Sequence, residues 1–153
     1  MNIFLPEKDI LLSVQALDDS RLKKQILECE QMLKVSLGFS RGYQWHPVVL
    51  HYKNYPYFIA RYACLACNEY RFRAEKNYPL EDFFYNLFSV LEATKCPKPF
   101  YCEGAKTDPN CIRTTENTVE LFRAKLCKKW DNDKRAPKWT NRQPPEWYHS
   151  NRT

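Results

Sequence analysis

A group of polar side chains recurs along one predicted helix and suggests anion chemistry. At helical spacing the sequence places Arg21, Lys24, Gln25 and Glu28 on one face. The two cations lie near the amino-terminal end of this helix, where an anion would also meet free backbone N–H groups. The face is therefore either a phosphate-binding site or a charged surface exposed to solvent.

The helix that carries this face is predicted over residues 17–37. Asp18 and Asp19 can cap its start, and Gly38 follows its end, where a left-handed backbone is easiest for glycine. Apolar residues at helical spacing predict a buried opposite face that comprises Leu22, Ile26, Cys29 and Leu33.

A second source of binding groups is the aromatic connection at residues 39–57. Gly42 and Pro47 interrupt it, and residues 48–52 can form one helical turn. We expect its rings to stack on a base or ribose, its amides and imidazole to donate hydrogen bonds and its cations to attract phosphate. His46 has a second interpretation, as a hydrogen-bonded packing residue. The candidates are Arg41, Tyr43, Gln44, Trp45, His46, Tyr52, Lys53 and Asn54.

The remaining pattern predicts further helices and no extended strand. A short helix is expected at residues 9–17, with its apolar side supplied by Leu11, Leu12, Val14 and Leu17. Further helices are expected at residues 57–73, from Pro79 onward, and after a cap at Thr114 or Thr115. Residues 95–110 read as a loop. The 153 residues thus predict an all-α fold, a compact helical bundle with long aromatic- and proline-rich loops, in one domain spanning residues 1–153.

The net charge of +6 is concentrated near the end of the chain. Residues 131–153 are basic and rich in tryptophan and proline. Such a segment either stacks on a polyanion or forms a solubilising, partly packed tail. The segment contains the candidate cation Arg142. The aromatic residues within it or directly before it are Trp130, Trp139, Trp147 and Tyr148.

Several classes of site and location are not indicated. The chain has three glycines and no phosphate-cradling glycine loop. Its seven cysteines are expected to remain thiols, although Cys96, Cys102 and Cys111 with a distant fourth ligand would be an alternative zinc site. We predict no cofactor and no metal. Without a long apolar run or a signal peptide, a cytoplasmic protein that does not enter membranes is expected.

Segments from most of the chain resemble one known family. They are MNIF, LDDSRLKKQILE, RGYQWHPVVLHYKNYPYFIARYACLACNEYRFR and APKWTNRQPPEWY. Together they resemble the pyrimidine-dimer DNA glycosylases, the endonuclease V-like group of bacteriophages and some bacteria. The resemblance implies a single all-α domain. It also implies an enzyme whose amino-terminal α-amine forms an imine with the damaged sugar, assisted by a helical glutamate and phosphate-gripping arginines.

The resemblance assigns some of these roles and leaves one vacant. Arg21 matches a phosphate-binding arginine, and Lys24 lies close to a second basic position. Leu22 stands where the family has its glutamate. If the protein is an enzyme, the resemblance points to Met1 and Asn2 for the amine and to Asp18 and Asp19 for the carboxylate.

Because that glutamate is missing from its register, the sequence favours binding over catalysis. The preferred hypothesis is a phage-type protein of the infected bacterial cytoplasm that captures a phosphorylated nucleotide in a basic, aromatic-lined pocket. It would sequester a nucleotide immune signal of antiviral defence, as a homo-oligomer. The alternative is a pyrimidine-dimer DNA glycosylase and AP lyase, and the third is a structural or host-factor-binding protein. The sequestering protein and the glycosylase would both bind nucleotide or nucleic-acid phosphate.

Overall fold

Helices dominate the described part of the chain, which comprises residues 1–96, 100–102, 111–113 and 116–149, with side chains for residues 1–96 and 118–149. In this computed structural model the helices are α1 (Ile10–Ala16), α2 (Asp19–Ser36), α3 (Pro47–Tyr52), α4 (Pro56–Ala74), α5 (Glu81–Ala93) and α6 (Glu116–Asn132). The all-α prediction is confirmed.

One short pair of strands begins in the region predicted as loop and ends just after it. Strands β1 (Phe100–Cys102) and β2 (Cys111–Arg113) run parallel, with Phe100 opposite Cys111. The loop prediction is therefore wrong for β1, because three residues are too few to show an alternating pattern. The rest of that loop, and the predicted caps Thr114 and Thr115, lie outside the described residues.

Helix α2 follows its predicted pattern closely. Asp18 occupies the N-cap position, and Gly38, with φ of 79°, follows the carboxyl-terminal end in the left-handed conformation. The predicted apolar face is confirmed, since all four of its members are buried. This face packs on α4, which also contacts α1 and α5. Burial of each large side chain stabilises the fold by about 1.5–3 kcal/mol.

Helix α1 shows where the periodicity misled. Asp9 is the N-cap residue of α1, and its side-chain Oδ1 accepts the Leu12 N–H at 2.9 Å. Leu11 and Leu12, expected on the apolar side, are both exposed, whereas Val14 is buried. A seven-residue helix gives too few turns for the sequence to fix its buried face.

The aromatic end of the chain folds back onto the helices. Trp130 stacks on Trp147, with ring centroids 5.7 Å apart, and meets Trp139 and Tyr148 edge-on. The indole N–H of Trp139 donates to the Ala16 carbonyl at 3.0 Å. Within residues 118–149 these rings pack against each other and the helices, as in the partly packed interpretation of the tail.

Buried thiols account for most of the described cysteines. Cys29, Cys64, Cys67 and Cys127 are free and buried, and burial raises the pKa of Cys64 and of Cys67 to about 12, which leaves both as unreactive thiols. Among the described side chains no group of three potential metal ligands forms. None of the helices in the described ranges has the length and apolar character that a membrane crossing requires. The side chains of Cys102 and Cys111 lie outside the description.

Candidate functional site

The amino-terminal segment is held against α2 by one buried amide. Gln25 donates from Nε2 to the Asn2 carbonyl at 2.6 Å, and its Oε1 accepts the Phe4 N–H at 2.9 Å. The amide thus binds the backbone on both sides, as a neighbouring strand would. Tyr62 of α4 adds a bond from its hydroxyl to the Phe4 carbonyl at 2.8 Å. These contacts fix the position of Asn2.

A buried carboxylate faces the start of the chain. The backbone N–H of Asn2 donates to Glu28 Oε2 at 3.2 Å, and Glu28 is only 8% exposed. Glu28 makes no ion pair with any described residue. Because a buried carboxylate is stabilised by a hydrogen-bonded cationic partner, this position suits an amine.

Cations surround this carboxylate in a hollow of about 30 Å³. Arg21 is 15% exposed and pairs with Asp133 at 2.8 Å. Lys24 of α2 and Lys129 of α6 make no ion pair within the described residues, so both are available to an anion. The hollow is lined by Met1, Asn2, Phe4, Arg21, Lys24, Gln25, Glu28 and Lys129.

A basic groove continues from the hollow around the start of α2. It has a volume of about 390 Å³ and shares Arg21 with the hollow. Lys134, Arg135 and Lys138 line it, beside Asp18, Asp19 and Asp133. The groove therefore places further cations next to the hollow, where backbone phosphates could bind.

On its other side Asn2 borders a larger, mostly apolar cleft of about 590 Å³. This size falls in the range of small-molecule sites. Tyr52 lines the cleft and stacks on Phe58, with centroids 5.6 Å apart. The other lining residues are Ile3, Leu5, Pro47, Val48, His51, Tyr55, Thr118, Phe122 and Lys125. Asn2 therefore lies between a cationic hollow and an apolar cleft.

The candidates predicted from the sequence fall into separate places. The hollow collects Met1, Asn2, Arg21, Lys24 and Gln25, and Tyr52 lies in the cleft. The remaining candidates on residues 39–54 line neither cavity. They are Arg41, Tyr43, Gln44, Trp45, His46, Lys53 and Asn54. His46 caps α3, because its Nδ1 accepts the Val48 N–H at 3.1 Å.

Arg142 lies away from the hollow and is already paired. Its guanidinium donates to both carboxylate oxygens of Glu69, at 2.7 and 2.9 Å, and stacks over Phe72. The same carboxylate accepts Arg73 at 3.4 Å. This geometry gives Arg142 a structural role in holding the end of the chain.

The two acids proposed as catalytic substitutes are also engaged. Asp18 accepts the Trp130 indole N–H at 2.8 Å, and its burial raises its pKa. Burial opposes the ionisation of Asp19, but hydrogen bonds from Thr140 and Arg73 outweigh it and lower the pKa. Neither carboxylate lines the hollow beside Asn2.

Glu28 is the functional candidate that the sequence interpretation missed. The resemblance places the family glutamate directly after Arg21, and this chain has Leu22 there. Yet Glu28 shares the face of Arg21, Lys24 and Gln25, and that spacing was the available signal. Glu28 lies about two turns after Arg21, so helical geometry keeps it on the same face and brings it to the amino-terminal segment.

The comparisons with known proteins agree with the resemblance. Residues 1–82, more than half of the chain, match the family model described as pyrimidine dimer DNA glycosylase. That stretch contains every residue of the hollow except Lys129. Comparison with the curated proteins and with the solved structures gives no significant match. The chain belongs to the pyrimidine dimer DNA glycosylase family.

Proposed function

We propose that this protein is a DNA glycosylase and AP lyase that excises a damaged pyrimidine through an imine formed by an α-amine next to Glu28. The contact of 3.2 Å between the Asn2 nitrogen and Glu28 Oε2 carries this proposal. The amine would belong to Met1, or to Asn2 if Met1 is removed. In the second case the nitrogen that now contacts Glu28 becomes the nucleophile itself.

The chemistry requires a neutral amine and a group that moves protons. The amine attacks C1′ of the deoxyribose, and the glycosidic bond breaks as the base leaves with its electron pair. Glu28 accepts the proton released by the amine and passes it to O4′ as the C1′–O4′ bond breaks, which opens the sugar ring and forms the protonated imine, while the departing base takes a proton from water. Removal of a C2′ proton then expels the 3′ phosphate, and water hydrolyses the imine to restore the amine.

The surroundings of Asn2 supply the two kinds of contact that such a substrate needs. Lys24, Lys129 and the cations of the basic groove would bind backbone phosphates without regard to sequence. A damaged nucleotide must leave the helical stack before its sugar is attacked. The apolar cleft is large enough for a base and is lined by the same residue, Asn2.

Reductive trapping tests the proposal. Borohydride should link the wild-type protein covalently to DNA that contains an abasic site, and an extension fused before Met1 should abolish the link. Glu28→Gln should slow lyase turnover by about 10²–10⁴-fold, the contribution of a positioned acid–base group, with DNA affinity retained. Glu30→Gln is the matched control, since Glu30 lies on the same helix and pairs with exposed Lys34. The absence of any adduct, or trapping that survives the extension, would refute the proposal.

Nucleotide sequestration, which the sequence favoured, stays a prediction that no comparison supports. The cationic hollow measures about 30 Å³, about the volume of one water molecule, so it does not enclose a nucleotide. Sequestration would appear as thermal stabilisation by free nucleotides that exceeds stabilisation by DNA. The homo-oligomer and the cytoplasmic location also stay predictions.

We propose further that residues 1–153 form one domain. The end of the chain supports this, since the Asp19 N–H donates to the Lys138 carbonyl at 2.8 Å and Asn141 donates to the Arg73 carbonyl at 3.2 Å. Limited proteolysis should accordingly release no stable fragment that ends before residue 131.

A further inference from the structure

Three aromatic rings project into solvent between α2 and α3. In this segment, residues 39–45, here called the aromatic loop, Phe39 and Trp45 are each 77% exposed and Tyr43 is 61% exposed. None of the three rings contacts another ring or a cation within the described residues. Exposed apolar groups at this density on one surface commonly mark an interaction site.

The backbone of the loop is ordered by local hydrogen bonds. The Phe39 N–H donates to the Lys34 carbonyl at 2.7 Å, and the His46 N–H donates to the Tyr43 carbonyl at 2.9 Å. Tyr43 has φ of 60°, a left-handed conformation that is unfavourable for a residue with a Cβ. Strain of this kind persists chiefly where it serves function, and here it presents an aromatic ring outward.

Charge identifies the chemistry of the partner. Residues 31–68 contain no aspartate or glutamate. Within that stretch Arg41 and Lys53 are exposed, and neither makes an ion pair with a described residue. Exposed rings and exposed cations within one stretch that carries no acid fit a single strand of nucleic acid, whose bases stack and whose phosphates pair.

The loop is also continuous with the proposed DNA-binding face. Helix α3 begins directly after it, and Pro47, Val48 and His51 of that helix line the cleft beside Asn2. A DNA strand that places a nucleotide next to Asn2 would pass this wall of the cleft.

We infer that the aromatic loop is a second DNA contact, which stacks on unpaired bases beside the lesion and favours locally opened DNA over intact duplex. The inference rests on the proposed function for the presence of DNA in the cleft. It adds a recognition surface that is separate from the amine and from Glu28.

Fluorescence anisotropy with three probes tests the inference: a single-stranded oligonucleotide, a duplex with one abasic site, and the intact duplex. Trp45→Ala should weaken binding of the first two by about 5- to 150-fold, the range expected for the loss of one stacked base, and binding of intact duplex by less than about twofold. Val90→Ala, which shortens an exposed apolar side chain on α5, is the matched control and should change none of the three.

Tyr43→Gly separates binding from folding. Glycine adopts the left-handed backbone without strain, so the melting temperature should stay the same or rise while single-strand affinity falls. A loop of purely structural importance would lose stability together with affinity. Unchanged affinity for all three probes, or equal loss on intact duplex, would overturn the inference.

Trapping at saturating abasic DNA distinguishes this inference from the proposed function. Both loop variants should retain wild-type single-turnover trapping, whereas Glu28→Gln should retain DNA affinity and lose turnover. Normal trapping with no change in affinity refutes the loop alone. If the loop variants bind single strands more weakly than the wild type but the wild type never traps, the imine chemistry is refuted and the loop is supported.

Discussion

The aromatic loop at residues 39–45 and the closing segment at residues 139–148 have similar compositions and opposite environments. Each combines aromatic rings with arginine. In the closing segment, Trp147 donates its indole N–H to Glu7 at 2.8 Å and Arg142 pairs with Glu69 at 2.7 Å. In the loop, Trp45 and Arg41 make no comparable contact with the described residues.

The difference follows from where the acids are. Glu7, Asp19 and Glu69 lie in the first half of the chain and reach the closing segment through tertiary contacts. The stretch around the loop, residues 31–68, contributes no acid at all. Whether an aromatic and cationic segment is bound to its own protein or remains available to a ligand thus depends on acids distant in the sequence.

The largest expected effect is that of removing Glu69, the carboxylate that binds both Arg73 and Arg142. Glu69→Ala should lower the free energy of unfolding by about 3–5 kcal/mol, because it removes one of the two carboxylates that pair with buried Arg73 and the carboxylate that pairs with Arg142. Urea unfolding measures the loss. The control is Glu30→Ala, which breaks the exposed pair with Lys34 and should lose less than about 1 kcal/mol. Equal losses for the two variants would contradict the view that buried acids hold the closing segment to the protein.

Arg142→Ala tests whether the closing segment is bound to its own protein and is therefore not available to a ligand. It should lower the free energy of unfolding by about 1.5–3 kcal/mol through the lost charge-assisted hydrogen bonds, and change DNA affinity by less than about twofold. Arg41→Ala should do the reverse, with stability within about 0.5 kcal/mol of wild type. A large loss of affinity in Arg142→Ala would restore the ligand-binding role that the sequence suggested.

The fold was largely readable from the sequence, because helical periodicity is a local signal. The buried face of α2 needed only the spacing of Leu22, Ile26, Cys29 and Leu33, all of which are buried. The buried face of the short helix α1 and the strand β1 were not predicted for the same reason, since neither element is long enough to establish a period.

The site was only partly readable, because its geometry depends on tertiary contacts. Helical spacing predicts that Arg21, Lys24 and Gln25 share one face of α2, and all three line the hollow. Nothing local shows that Gln25 anchors the backbone of Asn2 and Phe4 and so brings Glu28 to the start of the chain. The pairing of Arg142 with Glu69 spans 73 positions and is likewise invisible to spacing.

A smaller effect is expected where α6 meets α2. Trp130→Phe removes the indole N–H that Asp18 accepts and leaves a buried carboxylate short of a partner. The free energy of unfolding should fall by about 1–3 kcal/mol. In an Asp18→Leu background the same change should matter less, and a double-mutant cycle measures the difference. Strict additivity would show that the two groups are not coupled.

The smallest effect is the pH dependence of the two acids beside the closing segment, which should have opposite signs. Burial raises the pKa of Asp18 above 3.8, so its contribution to stability is present in acid and is lost as pH rises through the folded-state pKa. Hydrogen bonds from Thr140 and Arg73 overcome burial and lower the pKa of Asp19, so its contribution is present above 3.8 and is lost as pH falls. Urea midpoints between about pH 3 and about pH 6 should therefore show the wild type losing ground to Asp18→Asn as pH rises, and gaining on Asp19→Asn. Parallel curves for the two variants would mean that burial does not raise the pKa of Asp18, or that the hydrogen bonds from Thr140 and Arg73 do not lower the pKa of Asp19.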